Sequence, residues 1–243
     1  MKKMTKKTLL FLVAALCLAF SLQAKEKRSV VRIETSEGII RVALFDDTPI
    51  HRDNFLDLAS SGFYDGLLFH RVIQDFMIQA GDPNSRHAEP GMKLGGGDNG
   101  YTLVPEFKVP VLYHWRGALA AAREGDDVNP EMRSSGCQFY IVYGKKQSPA
   151  DIRKASEKLE KNDVTLTSEM IYEYEHKGGV PHLDGTYTVF GEVIEGMDVV
   201  RHIQLASTDE NDRPLEDIVI RKMVVEQRSK DALADKARRQ RRK

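Results

Sequence analysis

The chain has 243 residues, of which 41% are hydrophobic and 30% are charged, and its 36 basic and 36 acidic residues balance. This composition can bury a full core and excludes a disordered chain, while the length allows one or two domains. The zero net charge hides an asymmetry, because the basic tail over 227–243 holds eight Lys or Arg and two Asp. Such a tail can touch an anionic surface weakly, although most tails of this kind are solvated chain ends.

The N-terminal segment has the three-part pattern of a secretory signal peptide. Lysines precede an apolar run over 9–20, and the segment ends on the small residue Ala24. Because the run is short for a membrane span, residues 1–24 are predicted to be cleaved after Ala24 from an exported, periplasmic or extracellular protein. A retained N-terminal anchor is the alternative. Cleavage leaves one cysteine, Cys137, whose strand-like context SGCQFYIV indicates a buried, inert thiol.

The predicted elements that follow are mostly short strands. Two β-branched runs, 29–35 and 39–45, are joined at Glu37-Gly38 as a hairpin. A helix is predicted over 48–62 because Thr48 suits the N-cap and Pro49 the first helical position, and a shorter helix is predicted over 196–204. Many short strands and two helices indicate an antiparallel sandwich or barrel. The further strands are predicted on both sides of Gln74-Asp75 and over 117–122, 138–144, 187–193 and 217–226.

One segment, residues 145–178, departs from this pattern because it is charged and helical and lies between two strands. A Ser-Pro-x-Asp start at 148–151 precedes a thin apolar stripe at positions 152, 155 and 159. A second helix is predicted around 168–177, ending at Gly178-Gly179. We therefore predict a helical hairpin inserted into a domain that runs over 25–226 and is followed by the basic tail.

The usual signatures of cofactor, metal and covalent chemistry are absent from the sequence. GGGDNG, residues 95–100, matches the G-x-G-x-x-G string, but it neither follows a strand nor opens a helix. A glycine-rich loop is therefore favoured over a dinucleotide site. The seven histidines show no metal-ligand spacing, and there is no G-x-S-x-G nucleophile elbow. No metal and no cofactor are expected.

The stretch FHRVIQDFMIQAGDP, residues 69–83, places two polar side chains, Arg71 and Gln79, among apolar ones. Burying a guanidinium or an amide without partners is costly. Periodicity alone would make Arg71 an exposed residue on a sheet face, and Phe76 and Met77 ordinary core residues.

This stretch resembles the central signature of the cyclophilin-type peptidyl-prolyl isomerases, and four further blocks of that family occur beside it. DNFLDLASSGFYDG resembles the first helix, RGALAAAR a strand at the pocket edge, SSGCQFYI the S-Q-F-F strand, and HLDGTYTVFGEVIEGMDVV the block that includes the second helix. The resemblance implies a mainly β fold, a closed eight-stranded antiparallel barrel capped by two α-helices, with its site on the outer face. It also implies cis-trans isomerisation of proline-containing polypeptides without a cofactor.

The resemblance assigns roles to individual positions. Arg71 takes the place of the catalytic arginine, and Gln79 is expected to hold its guanidinium or to contact the substrate backbone. The remaining substrate-binding positions are Phe76, Met77, Tyr140 and Leu183 in the proline-ring pocket, Gln138 at its rim, Ala122 and Arg123 on the peptide-pairing strand, and His182 and Tyr187 beside them.

Four of these positions depart from the family pattern. His182 stands where animal members have tryptophan, which predicts weak cyclosporin binding, and Tyr187 replaces a pocket histidine. Tyr140 replaces phenylalanine and adds a hydroxyl that needs a partner. Arg123 replaces asparagine and adds positive charge beside the peptide channel. We expect turnover with an altered substrate preference.

Two other functions stay open on the sequence. One is a proline-peptide-binding chaperone of exported proteins, and the other is an envelope assembly factor that docks through the basic tail. The strand with Gln138 and Tyr140 enters the insertion and the edge at 182–183 leaves it, so the insertion is expected near the pocket rim. A monomer is expected, with no nucleic-acid partner.

Overall fold

A computed structural model of the protein describes residues 27–229. The predicted signal peptide and all but the first three residues of the basic tail lie outside the described residues. Ser29–Gln227 form one compact unit. Between residues 27 and 229, no helix is long and apolar enough to cross a membrane.

An eight-stranded antiparallel sheet dominates the described range. Its strand order is β10-β1-β2-β9-β6-β8-β4-β3, and β5 and β7 pair separately. The β1–β2 hairpin turns at Glu37-Gly38 as predicted, with Thr35 opposite Gly38. The strands are β1 (Lys27–Thr35), β2 (Gly38–Leu44), β3 (Arg71–Ile73), β4 (Met77–Ala80), β5 (Thr102–Leu103), β6 (Ala118–Ala121), β7 (Ser134–Ser135), β8 (Phe139–Val142), β9 (Val189–Glu195) and β10 (Ile220–Ser229).

The sheet curls into an open half-barrel, so the prediction of a closed barrel is not confirmed. β10 and β3 are the two edges of the ladder within residues 27–229. An isolated bridge between Leu68 and Val219 spans the gap between them. β3 has only three residues, and its Val72 N–H donates to the loop carbonyl of Asp212 at 2.8 Å. A continuous ladder across the gap would need that N–H to pair with a strand.

Both faces of the sheet are covered, which explains its near-continuous apolar strands. On β8, Phe139 and Ile141 join the main core, whereas Tyr140 and Val142 join a second apolar cluster. Successive side chains on a strand point to opposite faces, so the second cluster lies on the outer face of the sheet. On β3, Val72 belongs to the main core, which places its neighbour Arg71 on that same outer face.

The two predicted capping helices are present as α1 (Pro49–Ser60) and, further along the chain, a helix over Met197–Ile203. Thr48 precedes α1 as predicted, but its hydroxyl makes no capping hydrogen bond. Glu106 caps the helix instead, because its carboxylate accepts from the N–H groups of Ile50 (3.2 Å) and His51 (3.0 Å). A long-range carboxylate therefore satisfies the free N–H groups of the first turn.

The inserted hairpin consists of α2 (Pro149–Leu159) and α3 (Ser168–His176), so the helix over Met197–Ile203 is α4. The predicted start of α2 is a capping box in which the Ser148 hydroxyl accepts from the Asp151 N–H and the Asp151 carboxylate accepts from the Ser148 N–H. The hairpin has an apolar core of its own, formed by Ile152, Leu159, Leu166, Met170 and Tyr174.

Two glycines bring the ends of the insertion together. Gly144 and Gly179 have φ angles of 56° and 144°, a region that L residues with a side chain avoid. A Cβ on Gly144 would lie 2.5 Å from the Cα of Gly179. The close approach of these two backbones therefore requires glycine.

Candidate active site

Nine of the predicted site residues line one pocket of about 430 Å³ on the outer face of the sheet. Gln138 lies in an adjoining hollow, and His182 lies against the pocket wall that Phe76 forms. The nine are Arg71, Phe76, Met77, Gln79, Ala122, Arg123, Tyr140, Leu183 and Tyr187.

Arg71 stands at the rim of this pocket with its side chain 41% exposed. Its Nε donates to the carboxylate of Asp212 at 3.2 Å. The guanidinium is therefore held by Asp212. Holding it was one of the two roles predicted for Gln79, whose side-chain amide instead donates to Gln138. Because the bond to Asp212 uses Nε, the terminal nitrogens are left to donate to a bound molecule.

The floor of the pocket is apolar and buried. Met77 of β4 and Tyr140 of β8 belong to the outer-face cluster together with Leu183, which follows the insertion. Phe76 forms one wall and stacks on the His182 ring, with ring centroids 5.9 Å apart and planes at 29°. This apolar floor and wall suit an aliphatic ring, while Arg71, Gln79 and Lys93 in the same lining can contact polar groups of a bound molecule.

The hydroxyl of Tyr140 has the hydrogen-bond partner that its burial requires, His114 Nε2 at 3.0 Å. On its other side, His114 Nδ1 lies 2.8 Å from the carboxylate of Asp184. The second oxygen of Asp184 accepts from the Tyr174 hydroxyl of α3 at 2.6 Å. This buried chain of four side chains connects the pocket floor to the inserted hairpin.

Gln79 and Gln138 form a fixed amide pair at the rim. Gln79 Nε2 donates to Gln138 Oε1 at 2.9 Å, and Gln138 Nε2 donates to the carbonyls of Gly95 (3.0 Å) and Gly97 (2.7 Å). The glycine-rich loop is thereby tied to the sheet. Beyond this pair a second hollow, of about 760 Å³, continues between the loop and the 122–125 segment.

Arg123 lines the pocket as predicted, and its positive charge is paired with a neighbouring carboxylate. Its side chain is 4% exposed, and its guanidinium lies 2.7 Å from the Asp126 carboxylate. Nε donates to the Thr186 carbonyl at 2.8 Å, and the guanidinium carbon lies 4.5 Å from the centroid of the Tyr187 ring. Arg123 and Tyr187 therefore brace the pocket edge as a stacked pair.

The imidazole of His182 is neutral at physiological pH. Burial lowers its pKa to about 4, and the nearby Lys158 ammonium acts in the same direction. Within residues 27–229, no group of three or more His, Cys, Asp or Glu side chains is arranged to hold a metal ion. Cys137 is buried, as predicted, and burial raises the pKa of its thiol to about 11.

Three further residues shape the site and were not predicted from the sequence: Asp212, His114 and Asp184. Asp212 lies 141 positions from Arg71, and His114 and Asp184 lie 70 positions apart. No local pattern marks pairs at such separations. The one available signal was the Tyr140 hydroxyl, which demanded a partner without identifying it.

Comparison with known proteins defines the class of this fold and site. The family model described as cyclophilin type peptidyl-prolyl cis-trans isomerase/CLD matches residues 30–225. The chain belongs to this family.

Three relatives illustrate the range of similarity. A protein of Streptococcus pyogenes serotype M6 named as a bifunctional phosphatase/peptidyl-prolyl cis-trans isomerase is 37% identical over 78% of this chain, which spans only 37% of that relative. A Staphylococcus aureus protein named as a peptidyl-prolyl cis-trans isomerase is 34% identical over 81% of this chain and 91% of its own length. A cyclophilin-type isomerase of Cryptosporidium parvum is 26% identical, with 82% of this chain and 98% of that one covered and a TM-score of 0.58. Its structure in the presence of the dipeptide Ala-Pro gives a TM-score of 0.55.

Proposed function

We propose that this protein catalyses the cis-trans isomerisation of Xaa-Pro bonds in polypeptide substrates. The observation that carries the proposal is the position of Arg71, whose guanidinium stands at the rim of an apolar pocket with its terminal nitrogens available. Membership of the cyclophilin family and the Ala-Pro dipeptide used with the Cryptosporidium relative support the same substrate class.

The reaction suits such a sparse site. Amide resonance sets a barrier of about 18–20 kcal/mol to rotation, and an uncatalysed Xaa-Pro bond takes roughly tens to hundreds of seconds to isomerise. No bond breaks, so the reaction consumes no co-reactant. In the twisted transition state the prolyl nitrogen becomes pyramidal and regains a lone pair, which an Arg71 N–H meets. The planar ground state lacks that lone pair, so the contact lowers the barrier differentially.

The other residues hold the substrate while the bond turns. The floor of Met77, Tyr140 and Leu183 and the Phe76 wall enclose the proline ring. Gln79 and Ala122 line the same pocket at its junction with the second hollow, where the substrate backbone leaves. Asp212 holds the guanidinium of Arg71 in place, which reduces the freedom lost when it donates to the substrate.

Action on exported proteins is a further part of the proposal. It rests on the lysine-rich start, the apolar run over 9–20 and the small residue Ala24. The test is the mass of the protein recovered from secreting cells. Cleavage after Ala24 gives a chain that begins at Lys25, whereas a mass that includes residues 1–24 would contradict the proposal.

The proposed activity is tested with a peptide that has one Xaa-Pro bond, whose interconversion rate is measured with and without the full chain. We expect acceleration by the wild-type protein and a large loss in a folded Phe76→Ala variant, because the ring then lacks its wall. Peptide binding without acceleration would refute the proposal and identify a proline-peptide-binding module. A Phe76→Ala variant with lowered stability and full activity would place Phe76 in the core instead of the pocket.

A further inference from the structure

A second groove begins where the proline pocket ends. It has a volume of about 480 Å³ and lies between helix α2 of the insertion and the 180–182 segment. Phe76 lines both the pocket and this groove. His182, which stacks on Phe76, belongs to the groove side. A polypeptide whose proline ring touches Phe76 can therefore extend over this edge into the groove, while its other end follows the second hollow.

The groove carries positive charge that the fold leaves unneutralised. Lys154 and Lys158 lie one helical turn apart on α2, so their side chains share one face. Both are exposed, and neither ammonium lies within 4.0 Å of a carboxylate in the part of the chain that the structure describes. Burial is the main cause of the lowered pKa of His182, and the nearby Lys158 ammonium is the second cause.

The acidic residues of the groove do not cancel this charge. Asp151 caps α2 through Ser148 and lies 3.4 Å from the Lys145 ammonium, so its carboxylate is already occupied. Asp75, at the turn between β3 and β4, is the other carboxylate in the lining. With Lys145 and Asp151 paired, two lysines face one aspartate, and the groove is net positive.

We propose that this groove binds an Asp or Glu side chain of the same polypeptide whose proline occupies the pocket. This inference rests on the proposed isomerase function and specifies its substrates as Xaa-Pro sequences with an acidic residue a few positions from the proline. Each residue of an extended chain advances about 3.3 Å, so such a residue reaches beyond Phe76 and His182 within a short peptide. The two ammonium groups then share its carboxylate.

The test compares peptides with one Xaa-Pro bond that differ only by Glu or Gln at successive positions on either side of the proline. For the wild-type full chain we expect one position at which Glu raises kcat/KM roughly three- to tenfold over Gln, the range for two exposed ion pairs. High salt should reduce this preference. A Lys154→Gln/Lys158→Gln variant should lose it.

The matched control is Lys146→Gln/Lys161→Gln, which removes two exposed lysines of the same insertion outside the groove and should keep the preference. No preference for Glu at any position, or a preference that survives Lys154→Gln/Lys158→Gln, would overturn the inference. Dissociation constants of the same peptides separate the two proposals. A protein that binds Glu peptides more tightly through these lysines but accelerates none would retain the groove assignment and refute the isomerase function.

Discussion

At the scale of single residues, the site depends on how Arg71 is held. Its guanidinium forms an ion pair with Asp212, in which Nε lies 3.2 Å from a carboxylate oxygen. Both side chains are 41% exposed. Pairs this exposed contribute little to stability. The value of Asp212 therefore lies in orienting the guanidinium towards the pocket, which makes it a positioning residue.

Asp212→Asn removes the charge of the partner and keeps a side-chain oxygen of similar shape. We expect kcat for peptide isomerisation to fall about two- to fivefold, the range of an exposed pair, while KM stays nearly constant because the ring pocket is intact. Steady-state kinetics on a short Xaa-Pro peptide measure this split.

Glu210→Gln is the matched control, since it removes one negative charge from the same loop at an exposed residue. It should leave both constants unchanged. A fall in kcat of equal size in both variants would mean that the loop charge, and not the contact with Arg71, is responsible. A rise in KM alone for Asp212→Asn would move Asp212 to substrate binding.

At the scale of elements, the inserted hairpin is tied to the pocket by a buried hydrogen bond. Tyr174 of α3 is fully buried, and its hydroxyl donates to Asp184 at 2.6 Å. Asp184 also accepts from the backbone N–H of His114 at 2.8 Å. A buried carboxylate needs such donors, because its desolvation is otherwise uncompensated.

Tyr174→Phe removes one donor and leaves the packing of the ring. We expect the free energy of unfolding to fall by about 1–3 kcal/mol, the cost of a buried acceptor left without its donor. Denaturant unfolding measures it. The control is Tyr172→Phe on the same helix, whose side chain is 58% exposed, and it should change stability by less than about 0.5 kcal/mol. Equal changes in both variants would show that the hydrogen bond from Tyr174 to Asp184 makes no specific contribution to the free energy of unfolding.

Local chemistry made the elements predictable, and long-range contacts limited the prediction of the site. The Ser148–Asp151 capping box marked the start of α2, and Gly38 marked the first hairpin, because each signal lies within a few residues. Thr48 takes the predicted N-cap position of α1, but the carboxylate that binds the free N–H groups is that of Glu106, more than 50 positions away, which no local pattern could identify. The sequence predicted positive charge at Arg123 beside the channel, but not its stacking on Tyr187 or its pairing with Asp126, because these contacts arise only in three dimensions.

At the scale of the whole molecule, a half-barrel with two apolar faces buries ionisable side chains as well as apolar ones. His70, next to Arg71, is 2% exposed. Burial lowers its pKa to about 4, although the Asp82 carboxylate opposes the shift. The unfolded chain titrates this group near its ordinary pKa of about 6.5.

The stability of the protein should therefore fall as the pH drops from about 6.5 to about 4. In that interval the unfolded state binds a proton that folded His70 does not, so the free energy of unfolding decreases with falling pH. The contribution of His70 by pH 4 is on the order of 3 kcal/mol. His70→Gln should flatten this part of the curve, measured by denaturant unfolding at several pH values. An unchanged slope would show that folded His70 titrates normally.

The central claim is that Arg71 stabilises the twisted transition state and contributes little to ground-state binding. The most direct measurement is the exchange rate between the cis and trans forms of a bound Xaa-Pro peptide, together with its dissociation constant, for wild type and Arg71→Ala. Arg201→Ala, an exposed arginine on α4, is the control. We predict that Arg71→Ala stays folded and binds the peptide with a dissociation constant within about threefold of that of wild type. The cis-trans exchange of the bound peptide should be about a hundred- to a thousandfold slower, which is the effect of losing one preorganised donor. A folded Arg71→Ala protein with near-normal exchange, or one whose loss lies entirely in the dissociation constant, would contradict the account.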